Sequence, residues 1–95
     1  MAIKSEIAWK RRDPDGEKFE VYARRFGGVW KFYDRQRRND QWQAIATPSM
    51  DDWLALLDAV KRRVPRRLFP IDEPARIEQQ IREMYPDYRS TKKGS

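Results

Sequence analysis

Two groups of side chains in this sequence have types and spacing that could do chemistry, and in both the chemistry is recognition of negative charge. The first comprises Tyr22, Arg24, Lys31, Tyr33 and Arg35. Tyrosine rings offer flat surfaces on which a base can stack, and arginine and lysine neutralise phosphate. The second is the run Lys61-Arg62-Arg63-Val64-Pro65-Arg66-Arg67, in which five of the seven residues are basic and none is acidic. Such a run reads as a patch for phosphate or for an acidic protein. Lys61 to Arg63 also complement the negative end of a helix dipole, but Arg66 and Arg67 lie beyond Pro65 and are not explained that way. Arg11-Arg12 and Arg37-Arg38 are smaller positive spots.

Catalytic chemistry finds little to work with. The chain has no cysteine and no histidine. Disulfides, thiolate metal sites and cysteine nucleophiles are excluded, and the commonest general base and metal ligand is missing. Asp13, Asp15 and Glu17 could be read as a cation loop, yet they lack the further ligands and the terminal bidentate glutamate of a calcium-binding loop. Around Pro14 and Gly16 they read as a turn instead. Gly27-Gly28 is flanked by strand patterns and is not followed by a helix, unlike a phosphate-cradling loop. The expectation is a non-catalytic binding module with no metal and no cofactor.

A length of 95 residues suits one domain, expected over residues 1–86, with 87–95 as a disordered tail. The net charge of +6 favours an acidic partner without choosing among nucleic acid, lipid and protein. Met1 to Glu6 carries no apolar leader, and no run approaches the ~20 apolar residues of a membrane-spanning helix. A cytoplasmic location and no membrane partner are therefore expected.

The elements that must position these side chains follow from periodicity. Ile7 to Arg11 alternates apolar and polar residues and reads as a strand. Asp13-Pro14-Asp15-Gly16 ends it with a turn. Phe19 to Arg25 and Val29 to Gln36 are two further strands, and Gly27-Gly28 suits a two-residue hairpin loop between them. That loop pairs Tyr22 with Tyr33, Arg24 with Lys31 and Glu20 with Arg35. Phe19, Val21, Ala23, Trp30 and Phe32 then share one face, and Glu20, Tyr22, Arg24, Lys31, Tyr33 and Arg35 the other, which Lys10 and Arg12 would extend. A slip of one residue would mix the faces. Trp42 to Thr47 reads as a short fourth strand with Trp42, Ala44 and Ala46 on one side.

Ser49 suits a helix N-cap with Asp52 at the capping-box position. Trp53, Leu57, Val60 and Val64 recur at helical spacing, and Pro65 predicts a stop near Val64. Asp72 is a second expected N-cap, ahead of a helix with the apolar stripe Ile77, Ile81, Met84 and Tyr85 that Pro86 ends. The fold class predicted is α+β: a three- or four-stranded antiparallel sheet packed against an amphipathic helix, plus a C-terminal helix.

Trp9, Trp30, Trp42 and Trp53 each fall on an apolar stripe or face, so burial in the core explains all four. The polar sheet face also has a plain explanation, because a sheet buried on one side must be polar on the other. If the second helix covers that face, the two tyrosines belong to the core. Three antiparallel strands followed by a helix, with an arginine–aromatic pattern in residues 22 to 35, resemble certain plant and phage-integrase arm-type DNA-binding domains that read the major groove with a sheet. The resemblance is topological and covers about half the chain; fold does not fix function, and no residue role is carried over. The expected partner is DNA or RNA, bound by the basic, aromatic sheet face and the 61–67 run. The alternative is a protein-interaction domain that docks an acidic partner, with the second helix as its apolar anchor. A monomer is expected, or a dimer through residues 77–85.

Overall fold

A computed structural model describes residues 6–88. Strands β1 (Glu6–Arg12), β2 (Lys18–Phe26), β3 (Val29–Arg35) and β4 (Gln43–Ile45) are followed by helices α1 (Met50–Arg63) and α2 (Glu73–Met84). The class is α+β, with strands preceding helices as their patterns predict. The opening residues 1–5 and residues 89–95 of the expected tail lie outside the described residues. The chain divides into two compact units, Met1–Pro48 and Ser49–Ser95.

The first unit is an antiparallel meander in the order β1-β2-β3-β4. Gly27 and Gly28 both have positive φ, 55° and 88°, which is the backbone a tight two-residue hairpin needs and which a Cβ disfavours. This turn sets Phe26 opposite Val29, Arg24 opposite Lys31 and Tyr22 opposite Tyr33. The hairpin register is the one that the separation of apolar and polar residues predicts. The β1–β2 turn is built around Asp13, whose carboxylate accepts the N–H groups of Asp15 and Glu17, both at 2.9 Å. One acid is thereby used as a turn former.

Alternation gives the sheet a buried face and an open face. Ile7, Val21, Ala23, Trp30 and Phe32 are buried. Trp9 meets Phe32 edge to face at 5.9 Å. On β4 the residue opposite Phe32 is Ile45, whereas Ala44 stands opposite Tyr33. The set Trp42, Ala44 and Ala46 is thus not the core side of the strand, and Trp42 is not a core tryptophan. The Arg11-Arg12 pair is also divided by the pleat. Arg11 lies on the side of Val21 and binds Asp34 at 3.0 Å, while Arg12 lies on the open face.

In the second unit Ser49 caps α1, its Oγ accepting the N–H of Asp52 at 3.2 Å, an interaction that typically contributes about 1 kcal/mol. Trp53, Leu56, Leu57 and Val60 are buried. Helices α1 and α2 touch, and Ile77 and Ile81 of α2 are completely buried. Met84 is only half-buried. An exposed stripe at Ile77, Ile81 and Met84, by which α2 would grip a partner or a second copy, is therefore lost at its two isoleucines. Asp72 stands at the N-cap of α2 but makes no capping hydrogen bond. Its carboxylate turns to Arg76, one helical turn on, at 3.2 Å.

Past the end of α1 the chain winds on through Val64 and Pro65. The N–H of Arg67 donates to Val64 O at 2.9 Å and that of Leu68 to Arg63 O at 3.1 Å. These two bonds form the pattern of a Schellman closure, whose left-handed position usually holds glycine. Here it holds Arg67, with φ 62°. A side chain in that conformation costs about 1 kcal/mol or more, against which glycine's greater freedom in the unfolded chain must be set. Arg67→Gly is expected to stabilise the chain by about 0.5–1 kcal/mol net, read as a higher urea midpoint at unchanged slope. An unchanged or lower midpoint would show that the Arg67 side chain contributes stabilising contacts of its own.

Candidate nucleic-acid interface

The open face of the sheet is assembled by register. Reading across the strands, one row is Ala8–Tyr22–Tyr33–Ala44, the next Lys10–Glu20–Arg35, and on the other side Glu6–Arg24–Lys31. Cross-strand neighbours stand close enough for rings and long side chains to interact directly. Tyr22 and Tyr33 do so as a stacked pair, 4.9 Å between centroids and 20° between planes.

Trp42 joins them just before β4 begins. Its indole meets Tyr22 edge to face at 4.7 Å and 86°. The Arg35 guanidinium lies over it at 4.3 Å, a close cation–π contact. Arg35 is in turn held by Glu20, Nε to Oε1 at 2.7 Å. That hydrogen bond, foremost, holds the Glu20 carboxyl below its usual range against some desolvation, with the charges of Arg35, Arg38 and Lys10 assisting. Glu20 is ionised at neutral pH. It orients Arg35, and Arg35 places Trp42. All three rings are half-buried and share one side of the sheet.

The cations of this face fall into two kinds. Arg35 is paired with Glu20, and Arg24 approaches Glu6 loosely at 3.8 Å. Arg12 donates to the Gly16 carbonyl at 3.1 Å. Among the described residues, Lys10, Arg12, Lys18 and Lys31 have no carboxylate within ion-pairing distance. Toward the hairpin tip Phe26 is flanked by Arg24 and Lys31, at 5.3 and 5.9 Å from its ring, and remains 42% exposed. The face therefore extends from the aromatic trio to the glycine turn.

Every sheet residue expected at the site (Tyr22, Arg24, Lys31, Tyr33 and Arg35) lies on this one face, together with Lys10 and Arg12. Trp42 and Phe26 complete it and were not among the expected residues. Phe26 follows Arg24 by two and so belongs to the same side by parity. Trp42 carried no such signal, because the turn from Arg37 to Gln41 does not fix which side of the sheet β4 presents.

The 61–67 run belongs to the second unit. Arg62 pairs with Asp58 one turn earlier. Arg63 donates to the Ala59 carbonyl at 3.0 Å, a helix-terminal use of an arginine. Among the described residues, Lys61, Arg66 and Arg67 have no acidic partner, and all three are exposed. Two of the five cations thus serve the helix end, and three remain facing solvent.

No group of three or more acidic side chains converges as a metal site would, among the described residues, and no helix of these residues is long and apolar enough to cross a membrane. Comparison of the chain with protein families, with curated proteins and with solved structures finds no match in any of the three.

Proposed function

We propose that this protein is a nucleic-acid-binding module whose contact surface is the open face of the sheet. The observation that carries the reading is the Tyr22–Tyr33–Trp42 cluster set among Lys10, Arg12, Lys18 and Lys31, cations of the same face that make no direct ion pair among the described residues. A solvated sheet face accounts for paired tyrosines and for a Glu20–Arg35 ion pair. It does not account for an indole held on the solvent side by an arginine, nor for cations that outnumber the carboxylates Glu6 and Glu20 on that face. Stacking surfaces bordered by phosphate-neutralising side chains account for both.

Lys61, Arg66 and Arg67 support a second reading, in which an acidic protein docks on the end of α1. The two are separated by competition. A fluorescein-labelled single-stranded oligonucleotide is titrated with the protein at low salt, and polyglutamate of matched charge is then added. We expect saturable binding that polyglutamate displaces only in large excess, because carboxylates carry no rings to stack. No binding by DNA or RNA, or displacement by polyglutamate at parity, would remove the nucleic-acid reading.

A further inference from the structure

The open face holds a hollow. In the row Ala8–Tyr22–Tyr33–Ala44, the β1 position carries only a methyl group, while Glu6 and Lys10 on either side along the strand carry long side chains. A depression of about 290 Å³ opens there, walled by Ala8, Lys10, Glu20 and Trp42. Trp9 and Val21 also line it, and their side chains belong to the opposite face, so they contribute main chain to its floor.

Its walls differ in chemistry. Trp42 is an aromatic wall, its ring held by the Arg35 guanidinium at 4.3 Å and by an edge contact with Tyr22 at 4.7 Å. Lys10 is a cation at the rim. Glu20 is an ionised carboxylate, which can only accept hydrogen bonds. Its Oε1 is engaged by Arg35 Nε, and among the described residues its Oε2 accepts no hydrogen bond. A ligand matching all three is a planar ring with donor groups on its edge and an anion attached. A nucleotide taken out of its stack has that form. Guanine presents two adjacent donors on its pairing edge. Adenine and cytosine present one amino group beside an acceptor nitrogen, and uracil and thymine one N–H between two carbonyl oxygens that a carboxylate repels. In a duplex these edges are already paired, and the base cannot enter the hollow.

We infer that the hollow over Ala8 receives one unstacked base of a single strand, guanine in preference, packed on Trp42 with its donor edge toward Glu20 and a phosphate on Lys10. This rests on the nucleic-acid reading of the same face. It adds to that reading a strand form, a base and a position.

The test uses a uridine heptamer and the same heptamer with one central guanosine, titrated at low salt into the full chain and into Ala8→Phe. An aromatic residue suits an exposed strand position, so the variant should fold while filling the hollow. Ala8→Leu serves the same purpose if the larger ring perturbs the sheet. We expect the guanosine strand to bind the full chain about tenfold more tightly than the uridine strand. In the filled variant that preference should vanish while uridine binding persists. Glu20→Gln, which keeps an acceptor for Arg35 but loses the charge, should weaken the preference. Equal binding of the two strands by the full chain, or a preference that survives filling, overturns the inference and leaves the general nucleic-acid reading standing. If neither strand binds, both fall together.

Discussion

Replacing Trp42 by alanine is expected to weaken binding of a single-stranded oligonucleotide by about 5- to 150-fold, the effect of about 1–3 kcal/mol that one base–aromatic contact typically supplies. The upper part of that range is favoured by the position of the ring. Arg35 at 4.3 Å and Tyr22 at 4.7 Å fix it before any ligand arrives, so little ordering entropy opposes binding. Stability should change far less than affinity, because the indole is half-buried on the open face and the strand residue that packs opposite Phe32 is Ile45. Trp42→Phe should restore most of the affinity by restoring a ring. Circular dichroism and a urea midpoint report whether the sheet is intact. A Trp42→Ala protein that is folded and binds as well as the parent would mean the indole is not a contact surface.

The second large effect is that of salt. Four cations of the open face (Lys10, Arg12, Lys18 and Lys31) make no direct ion pair among the described residues. Although Lys10 stands opposite Glu20 and Arg12 donates to the Gly16 carbonyl, each of the four can turn to a phosphate. For single strands each neutralised phosphate contributes about −0.7 to the slope of log affinity against log salt, so four give about −3. Between about 50 and about 200 mM salt the affinity should then fall roughly 50-fold. Lys31→Ala should reduce the slope by about 0.7 and weaken all sequences alike, since a phosphate contact carries no base information. By contrast, Arg35→Ala should act mainly through Trp42, changing affinity more than slope, because its charge is already balanced by Glu20. A slope near zero would contradict an electrostatic surface of this kind. An unchanged slope in Lys31→Ala with a reduced slope after neutralising Lys61, Arg66 and Arg67 would move the contact to the end of α1.

Much of the sheet could be read from the order of the residues, for a physical reason that also sets the limit. A two-residue glycine turn fixes the hairpin register, and period-two alternation then assigns every β2 and β3 side chain to a face. Tyr22 opposite Tyr33 and Arg24 opposite Lys31 follow from those two facts alone. The side of β4 does not follow, because its connection is longer and carries no comparable turn constraint. Hydrophobicity pointed Trp42 toward the core, but a cation–π partner and a tyrosine edge outside the core outweighed it.

The second unit shows the same division. The Ser49 cap, the Pro65 boundary and the apolar stripe of α1 are local features, and local chemistry decides them. At Asp72 two local uses of one carboxylate compete, the cap and an ion pair with Arg76, and the ion pair holds it. The exposure of Ile77, Ile81 and Met84 depends on what packs on α2, which helical spacing does not state. Arg67 is the case in which sequence gave no warning. A left-handed residue is inferred from glycine or asparagine, and here the Arg67 and Leu68 amides close the helix around an arginine.

The measurement that tests the central claim most directly is a titration of isotope-labelled protein with a single-stranded oligonucleotide at low salt, followed by amide and indole resonances. Binding on the open face predicts that the shifts concentrate on Ala8, Lys10, Tyr22, Lys31 and Tyr33, with the Trp42 indole N–H among the largest, and that Lys61 to Arg67 moves little. Shifts confined to Lys61 to Arg67, or none at all up to millimolar oligonucleotide, would contradict it.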